Sequence, residues 1–575
     1  MSVPEEMAMN TKPLFSASAV FLVAFLVQGG PVLAEDPTPA EVDAIFADYD
    51  TTSSPGCSLG VVRDGELIYT RGYGMANLEY GIALSPRSVF RTASVGKQFT
   101  AMAIAILDQQ GKLSLDDSLS KYFPEFPSWA GGVTIRHLVH HTSGIRDYLT
   151  LAWLAGKGDA EYYTDDYALD LLARQRHLNF APGDEHLYSN SGYLLLAHLV
   201  KRVTGTSLRE WADENIFGVL GMKNSHFHDE HTHIVPYRAD GYAPAKEGYS
   251  ISMTILDMVG DGGVYTTVED FLLWDRNFYD NKLGGGGEEL IRTVTTPGQL
   301  NGDGEMTYAF GLGVEEYRGL RVIEHGGAFV GFRTDTIRFP EQRFSVVVFC
   351  NRADANPSRR SRKVAELYLA DVMEPKVELA AGSSEESARA KVPAAKLESL
   401  SGHYWSEERR TEQEVAWTNG KLQLVVSDEL RFEMVPLAAD RLVVQGAWYK
   451  GEVAFKKIAD GKMQMSFLID GAKEPRVYEK FVLWQPSPQD LEAYTGTYLS
   501  DELGISYVLE VKDDSLVFRI VRHKANKLEP LFGEVFSNSD YGTFEFKRGP
   551  EGSVVGFALD AGRVRNLEFK RKGTS

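Results

Sequence analysis

Ser94 and Lys97 stand three residues apart at the head of an apolar run, FRTASVGKQFTAMAIAILDQQGKL (90–113). Serine is a poor nucleophile until a base removes its proton, and a neutral lysine can be that base. From Phe99 the apolar residues Met102, Ala103, Ile106 and Leu107 fall at helical spacing, and Gly111 offers a stop. On such a helix Ser94 and Lys97 lie one turn apart on a shared face. The positive helix end favours a developing oxyanion, and burial helps a lysine lose its proton near neutral pH. The same S-x-x-K spacing recurs at Ser118–Lys121, but YFPEFP follows it and the prolines break any helix. Spacing alone does not pick a nucleophile; the setting of Ser94 does.

Acyl transfer needs two more parts: a proton carrier near the leaving group and a strand edge facing the helix start. Tyr188-Ser189-Asn190, in FAPGDEHLYSNSGYLLLAHLV, follows a Pro182–Gly183 turn and precedes a second helical run. His325-Gly326-Gly327, in IEHGGAFVGF, follows a strand-like run. Tyr279-Asp280-Asn281 repeats the Y-x-N spacing but leads only into the Gly284–Gly287 loop.

The elements that must hold these residues are spread along 575 residues, enough for two or three domains. A 43% hydrophobic share with 24% charged residues describes a globular chain. A net charge of −20 argues against nucleic-acid partners and against adhesion to anionic membranes, because both need basic patches. Lys12, the apolar run Leu14–Val27, a Gly-Gly-Pro break and Val32-Leu33-Ala34 read as a signal peptide over 1–34. The run is short for a membrane span, so the mature chain is expected to start near Glu35 in the periplasm or outside the cell, with no stable membrane anchor after cleavage. Cys57 and Cys350 can pair there, or remain two buried thiols.

Residues 35–375 mix strands and helices. CSLGVVRDGELIYTRGYG predicts two strands about an Asp64–Gly65 turn, and strands return at LRVIEH, FRTDTIRF and FSVVVFCN. Strands at both ends with helices between predict one α/β domain whose sheet is completed by its two chain ends. Residues 376–394 are polar and Ser/Ala-rich, a linker. Beyond them come short alternating strands. Leu397, Gly402 and Tyr404 recur as Leu491, Gly496 and Tyr498, which predicts two copies of one small antiparallel β-barrel over 395–486 and 487–575.

S-x-x-K, then Y-x-N, then H-x-G, in this order, resembles the serine β-lactamase and penicillin-binding-protein superfamily in its class C and DD-peptidase-like branch. IRHLVHHTSGI from Ile135, GGVYTTVEDFLLW from Gly262 and YAFGLGV from Tyr308 resemble it as well. The layout with two C-terminal barrels is similar to D-aminopeptidase. The resemblance implies a β-lactamase-like fold, an antiparallel sheet flanked by a helical region, followed by two lipocalin-like barrels. It implies Ser94 as acylated nucleophile, Lys97 as general base, and Tyr188 as proton carrier for Ser94 and the leaving group. Asn190 would hold the substrate amide, with Gly326 and Gly327 also against the substrate. His325 would replace the lysine of the usual K-T-G triplet. The backbone N–H groups of Ser94 and Ala328 would form the oxyanion hole. Cys57 and Cys350 would fall on the neighbouring first and last strands, where a disulfide can form.

The expected function is an exported serine hydrolase acting through an acyl-enzyme on amide or ester bonds of a small peptide or ester, D-aminopeptidase-like or DD-peptidase-like, without cofactor or metal. An esterase, a weak β-lactamase, or a binding module that kept the fold are the alternatives. HFHDEHTHIVP brings together His226, His228, His231 and His233 with metal-ligand spacing, but reads as a polar surface loop. His137, His140 and His141 are expected to cap a helix and pack their loop.

Overall fold

The computed structural model describes residues 36–158, 161–302, 304–375, 392–426, 431–445, 450–459, 461–469, 475–520 and 523–573. The signal peptide read at 1–34 lies outside the described residues, as does most of the linker read at 376–394. Asp64 and Gly65 have φ of 50° and 77°, the pair of positive values that a two-residue type I′ hairpin requires. They join β1 (Cys57–Arg63) to β2 (Glu66–Tyr73). The remaining strands of this sheet arrive about 240 residues later: β3 (Gly313–Tyr317), β4 (Leu320–Phe329), β5 (Phe332–Phe339) and β6 (Phe344–Cys350). The antiparallel order is β3-β4-β5-β6-β1-β2, so the two chain ends do complete one sheet.

β6 is buried along its whole length. Val346 and Val348 pack on one face with Val61, Val364 and Ala365; Val347 and Phe349 pack on the other with Val268 and Phe271. Such a strand shows a continuous apolar run because both faces are covered. Cys57 and Cys350 are register partners on β1 and β6, and a disulfide joins them. The helical region between the sheet's two parts is built around α1 (Lys97–Gln109) and α2 (Asn190–Thr204), which pack on each other.

Two closed eight-stranded antiparallel barrels follow, with strands from Gly402 to Phe481 and from Gly496 to Arg571. The sequence repeat has an atomic counterpart. Gly402 and Gly496 have φ of 136° and 144°, a region that glycine alone enters freely. Two residues on, the Tyr404 hydroxyl donates to Leu400 O at 2.6 Å and the Tyr498 hydroxyl to Tyr494 O at 2.8 Å. The second barrel docks on the helical region through Arg146, which is fully buried and reaches Glu502 at 3.0 Å.

Candidate active site

The nucleophile candidate does not sit in the first turn of an α-helix. Ala93–Gly96 is a 3₁₀ turn that runs directly into α1. Ala93 holds a φ of 47°, a left-handed value that costs a non-glycine residue roughly 1–2 kcal/mol. The tight turn presents Ser94 at the N-terminal end of α1 while Lys97, the first α-helical residue, points inward.

Lys97 is fully buried. Its Nζ lies 3.2 Å from Ser94 Oγ, 2.9 Å from Asn190 Oδ1 and 2.5 Å from Asp261 O. The same nitrogen lies over the rings of Tyr188, 4.8 Å from the centroid, and Tyr193, 5.6 Å from it. Asn190 begins α2, and its N–H donates to Asp147 Oδ2 at 2.7 Å. The Tyr188 hydroxyl is buried and has no hydrogen-bond partner among the described residues. A buried hydroxyl is seldom left so, and here it lines a cavity of about 1290 Å³ together with Ser94, Asn190 and residues 325–329.

β4 supplies the facing edge. Its pairing with β3 ends at Glu324, so residues 325–329 are free of that neighbour and pass beside the Ala93–Gly96 turn. The Thr334 hydroxyl donates to Thr92 O at 2.8 Å and ties the sheet to the turn. Only glycine fits at 327: a Cβ there would lie 2.3 Å from Thr92 O and 3.2 Å from Ser94 N. Gly326 carries no such demand, since a Cβ would meet nothing nearer than 3.8 Å. Gly327→Ala is therefore expected to push β4 away from Ser94 and to lower kcat/KM about 10²-fold, the scale of a 1 Å misplacement; a crystal structure of the variant would show the displaced strand.

His325 enters the site as a neutral imidazole. Nδ1 is 2.6 Å from Gly326 O, so it carries the hydrogen, and Nε2 accepts from the Tyr308 hydroxyl at 2.9 Å. Burial, with Lys97 nearby, lowers its pKa to about 4. At neutral pH it offers no positive charge. His141 does more than pack a loop: its ring lies 4.2 Å from that of Tyr188, and its Nδ1 accepts from Ser189 N at 3.2 Å.

Burial lowers other imidazoles too, His140 to about 4 and His228 to about 3. Unfolded, they take a proton near 6.5. The unfolded state then binds more protons below that pH, so stability falls as pH drops from about 6.5 toward 4, by up to about 1.4 kcal/mol per unit for each buried group. Asp335, raised to about 6 by burial, opposes this by gaining stability as pH falls through the same window. The histidines outnumber it. Urea midpoints are expected to fall between pH 6.5 and 4.5, and His140→Gln to flatten that slope.

The other sequence candidates separate. Ser118 caps its own turn, accepting from Ser120 N at 3.3 Å. Tyr279 packs under Arg343, away from the cavity lining. In the histidine-rich stretch His226 stacks on Tyr265 and His228 packs tilted against the same ring, while His231 pairs with Asp257 at 3.0 Å beside Glu230. Several lining groups escaped sequence reasoning. The Asp261 carbonyl is a backbone group, which no residue type signals. Ser539–Gly542 and Ala561–Arg563 come from the second barrel, where they read only as hairpin turns.

Residues 42–371 match a family model described as Beta-lactamase. A D-aminopeptidase of Gluconobacter oxydans is 30% identical over 302 residues, 52% of this chain and 56% of that protein. A D-aminopeptidase of Brucella canis is 30% identical over 341 residues, 57% of this chain and 62% of that one. The matches thus span less than two thirds of either relative. The octameric penicillin-binding protein homologue from Pyrococcus abyssi superposes with a TM-score of 0.54 at 23% identity, over 76% of this chain and 99% of that one. At that identity the likeness is one of fold.

Proposed function

Because the chain belongs to the beta-lactamase family, we propose that it is an exported serine hydrolase that cleaves amide or ester bonds through an acyl-enzyme at Ser94, with peptidase activity of the D-aminopeptidase-like or DD-peptidase-like kind. The observation that carries this reading is the buried Lys97 Nζ, shared between Ser94 Oγ at 3.2 Å and Asn190 Oδ1 at 2.9 Å beneath an open cavity. The names of the two relatives support the peptidase branch. The Cys57–Cys350 disulfide supports export, since oxidising compartments preserve such bonds.

In this mechanism the Ser94 proton passes to Lys97 as Oγ attacks the substrate carbonyl. The tetrahedral oxyanion forms against the N–H groups of Ser94 and Ala328, at the positive end of α1. Tyr188, whose hydroxyl has no partner among the described residues, carries a proton to the departing amine or alcohol. The Asn190 side chain orients Lys97 and the substrate amide. Water then enters along the path of the leaving group, gives its proton back through the same groups, and releases the acid.

A panel of D- and L-amino acid p-nitroanilides, p-nitrophenyl esters and nitrocefin tests the branch. D-amino acid anilides or peptides turned over ahead of the rest support the peptidase reading. Turnover confined to esters moves the assignment to an esterase, and turnover confined to nitrocefin to a β-lactamase.

A further inference from the structure

One wall of the cavity above Ser94 belongs to the second barrel. The hairpin between strands Val554–Ala561 and Val564–Arg571 brings Ala561, Gly562 and Arg563 to it. The backbone around Arg563 is fixed to the catalytic domain. Arg563 O accepts from Asn179 Nδ2 at 2.9 Å and from Asp147 N at 3.3 Å, and Arg565 N donates to Asn179 Oδ1 at 2.8 Å. Asp560 braces the hairpin from behind, accepting from Asn566 N at 2.8 Å and from Arg410 Nε of the first barrel at 2.9 Å.

The Arg563 guanidinium, by contrast, is unspent. It lies over the Tyr188 ring, 4.9 Å from the centroid. The carboxylate facing it, Asp147, is 4.0 Å away and already accepts from the N–H groups of Thr150 and Asn190. Among the described residues Arg563 donates no hydrogen bond from its side chain, which leaves five N–H donors in a rigid fork at the cavity. A second guanidinium repeats the theme. Arg91 is 5% exposed, lines the same cavity, and its Nε has no partner among the described residues. The buried Arg91 Nε points to an acceptor that arrives with the substrate, and the Arg563 side chain, 44% exposed, is open to the same acceptor. Most lining carboxylates are already engaged: Asp354 by Arg352 at 2.6 Å, Asp261 by the Tyr148 hydroxyl at 3.0 Å, and Asp147 as above. Asp540, exposed at the rim, is the carboxylate left over.

Resting on the hydrolase reading above, we propose that Arg563 is a specificity residue for anionic substrates, its guanidinium holding a substrate carboxylate beside Tyr188. A carboxylate accepts two parallel N–H bonds from one guanidinium. An uncharged group leaves that fork empty, and an ammonium in the same place is repelled. The barrel thereby supplies a positive charge that the neutral His325 does not.

Two matched ester pairs test this. Mono-p-nitrophenyl glutarate against p-nitrophenyl pentanoate places the charge on the acyl side; m-carboxyphenyl butyrate against phenyl butyrate places it on the leaving group. Wild type is expected to favour the anionic member of at least one pair tenfold or more in kcat/KM. Arg563→Ala should lower that ratio at least tenfold, Arg563→Lys should restore part of it, and Arg563→Glu should invert it. A ratio in Arg563→Ala within twofold of wild type, for both pairs, overturns the proposal; so does a wild type indifferent to charge. Failure of the hydrolase reading is separate: it shows as no turnover and no fluorophosphonate label. Titration of glutarate against glutaramide would then decide, with equal binding of glutarate by wild type and Arg563→Ala overturning the anion site.

Discussion

Ser94→Ala is expected to lower kcat/KM by about 10⁴–10⁶-fold, the range seen when the nucleophile of a mutually dependent catalytic set is removed. In the proposed mechanism Lys97 and Tyr188 act on one proton, that of Ser94, so each is idle without the hydroxyl. The fold should tolerate the change, because among the described residues the Ser94 hydroxyl makes a side-chain hydrogen bond only with Lys97, at 3.2 Å. Ser118→Ala is the matched control. Its hydroxyl caps a 3₁₀ turn and donates to Ala130 O and Gly131 O at 3.2 Å. Its loss should leave kcat/KM unchanged and cost about 1 kcal/mol of stability. Steady-state kinetics on the best ester substrate check both. Residual activity of Ser94→Ala above a few per cent would contradict the assignment.

The largest expected loss of stability is at Arg146→Ala. Arg146 and Glu502 are 0% and 5% exposed, and the ion pair spans the catalytic domain and the second barrel at 3.0 Å. The guanidinium also donates to Gln175 Oε1 at 2.8 Å and to the carbonyls of Arg565 and Asn566 at 2.8 and 3.0 Å. Removing it strands the Glu502 carboxylate in a buried site, which costs about 3–5 kcal/mol. Arg146→Met with Glu502→Leu should recover part of that, because no charge is then left unpaired. Urea unfolding of the two variants reads the difference. Activity should fall as well, since the two carbonyls belong to the hairpin that carries Arg563. A loss under 1 kcal/mol would mean that the barrel is not held at this point.

What could be read from the chain and what could not divide along physical lines. The Asp64–Gly65 hairpin was legible because φ > 0 at two successive residues needs those residue types. The double barrel was legible because Gly402 and Gly496 meet the same backbone demand, and Tyr404 and Tyr498 the same hydrogen bond. Ser94, Lys97, Tyr188 and His325 could be nominated because their chemistry depends on residue type; the structure brings Ser94, Tyr188 and His325 to one cavity and buries Lys97 against Ser94. The state of His325 could not be foreseen. Its neutrality comes from burial and from Tyr308 and Gly326, which are tertiary contacts. Ala93 was hidden for the same reason, since nothing local calls for its φ of 47°. Arg563 stands more than 370 residues from Tyr188 in a stretch, DAGRV, that signals a turn and nothing more. Its place over the Tyr188 ring depends on docking between domains, which leaves no periodic trace in the sequence.

Every step of the proposed mechanism passes through an acylated Ser94. The most direct test is intact-protein mass spectrometry of acid-quenched turnover with a slow p-nitrophenyl ester, followed by peptide mapping. One added acyl group is expected, on the peptide containing Ser94, absent from Ser94→Ala and present at normal yield in Ser118→Ala. An unmodified wild-type protein that turns over the ester, or an acyl group mapped to any other residue, would contradict it.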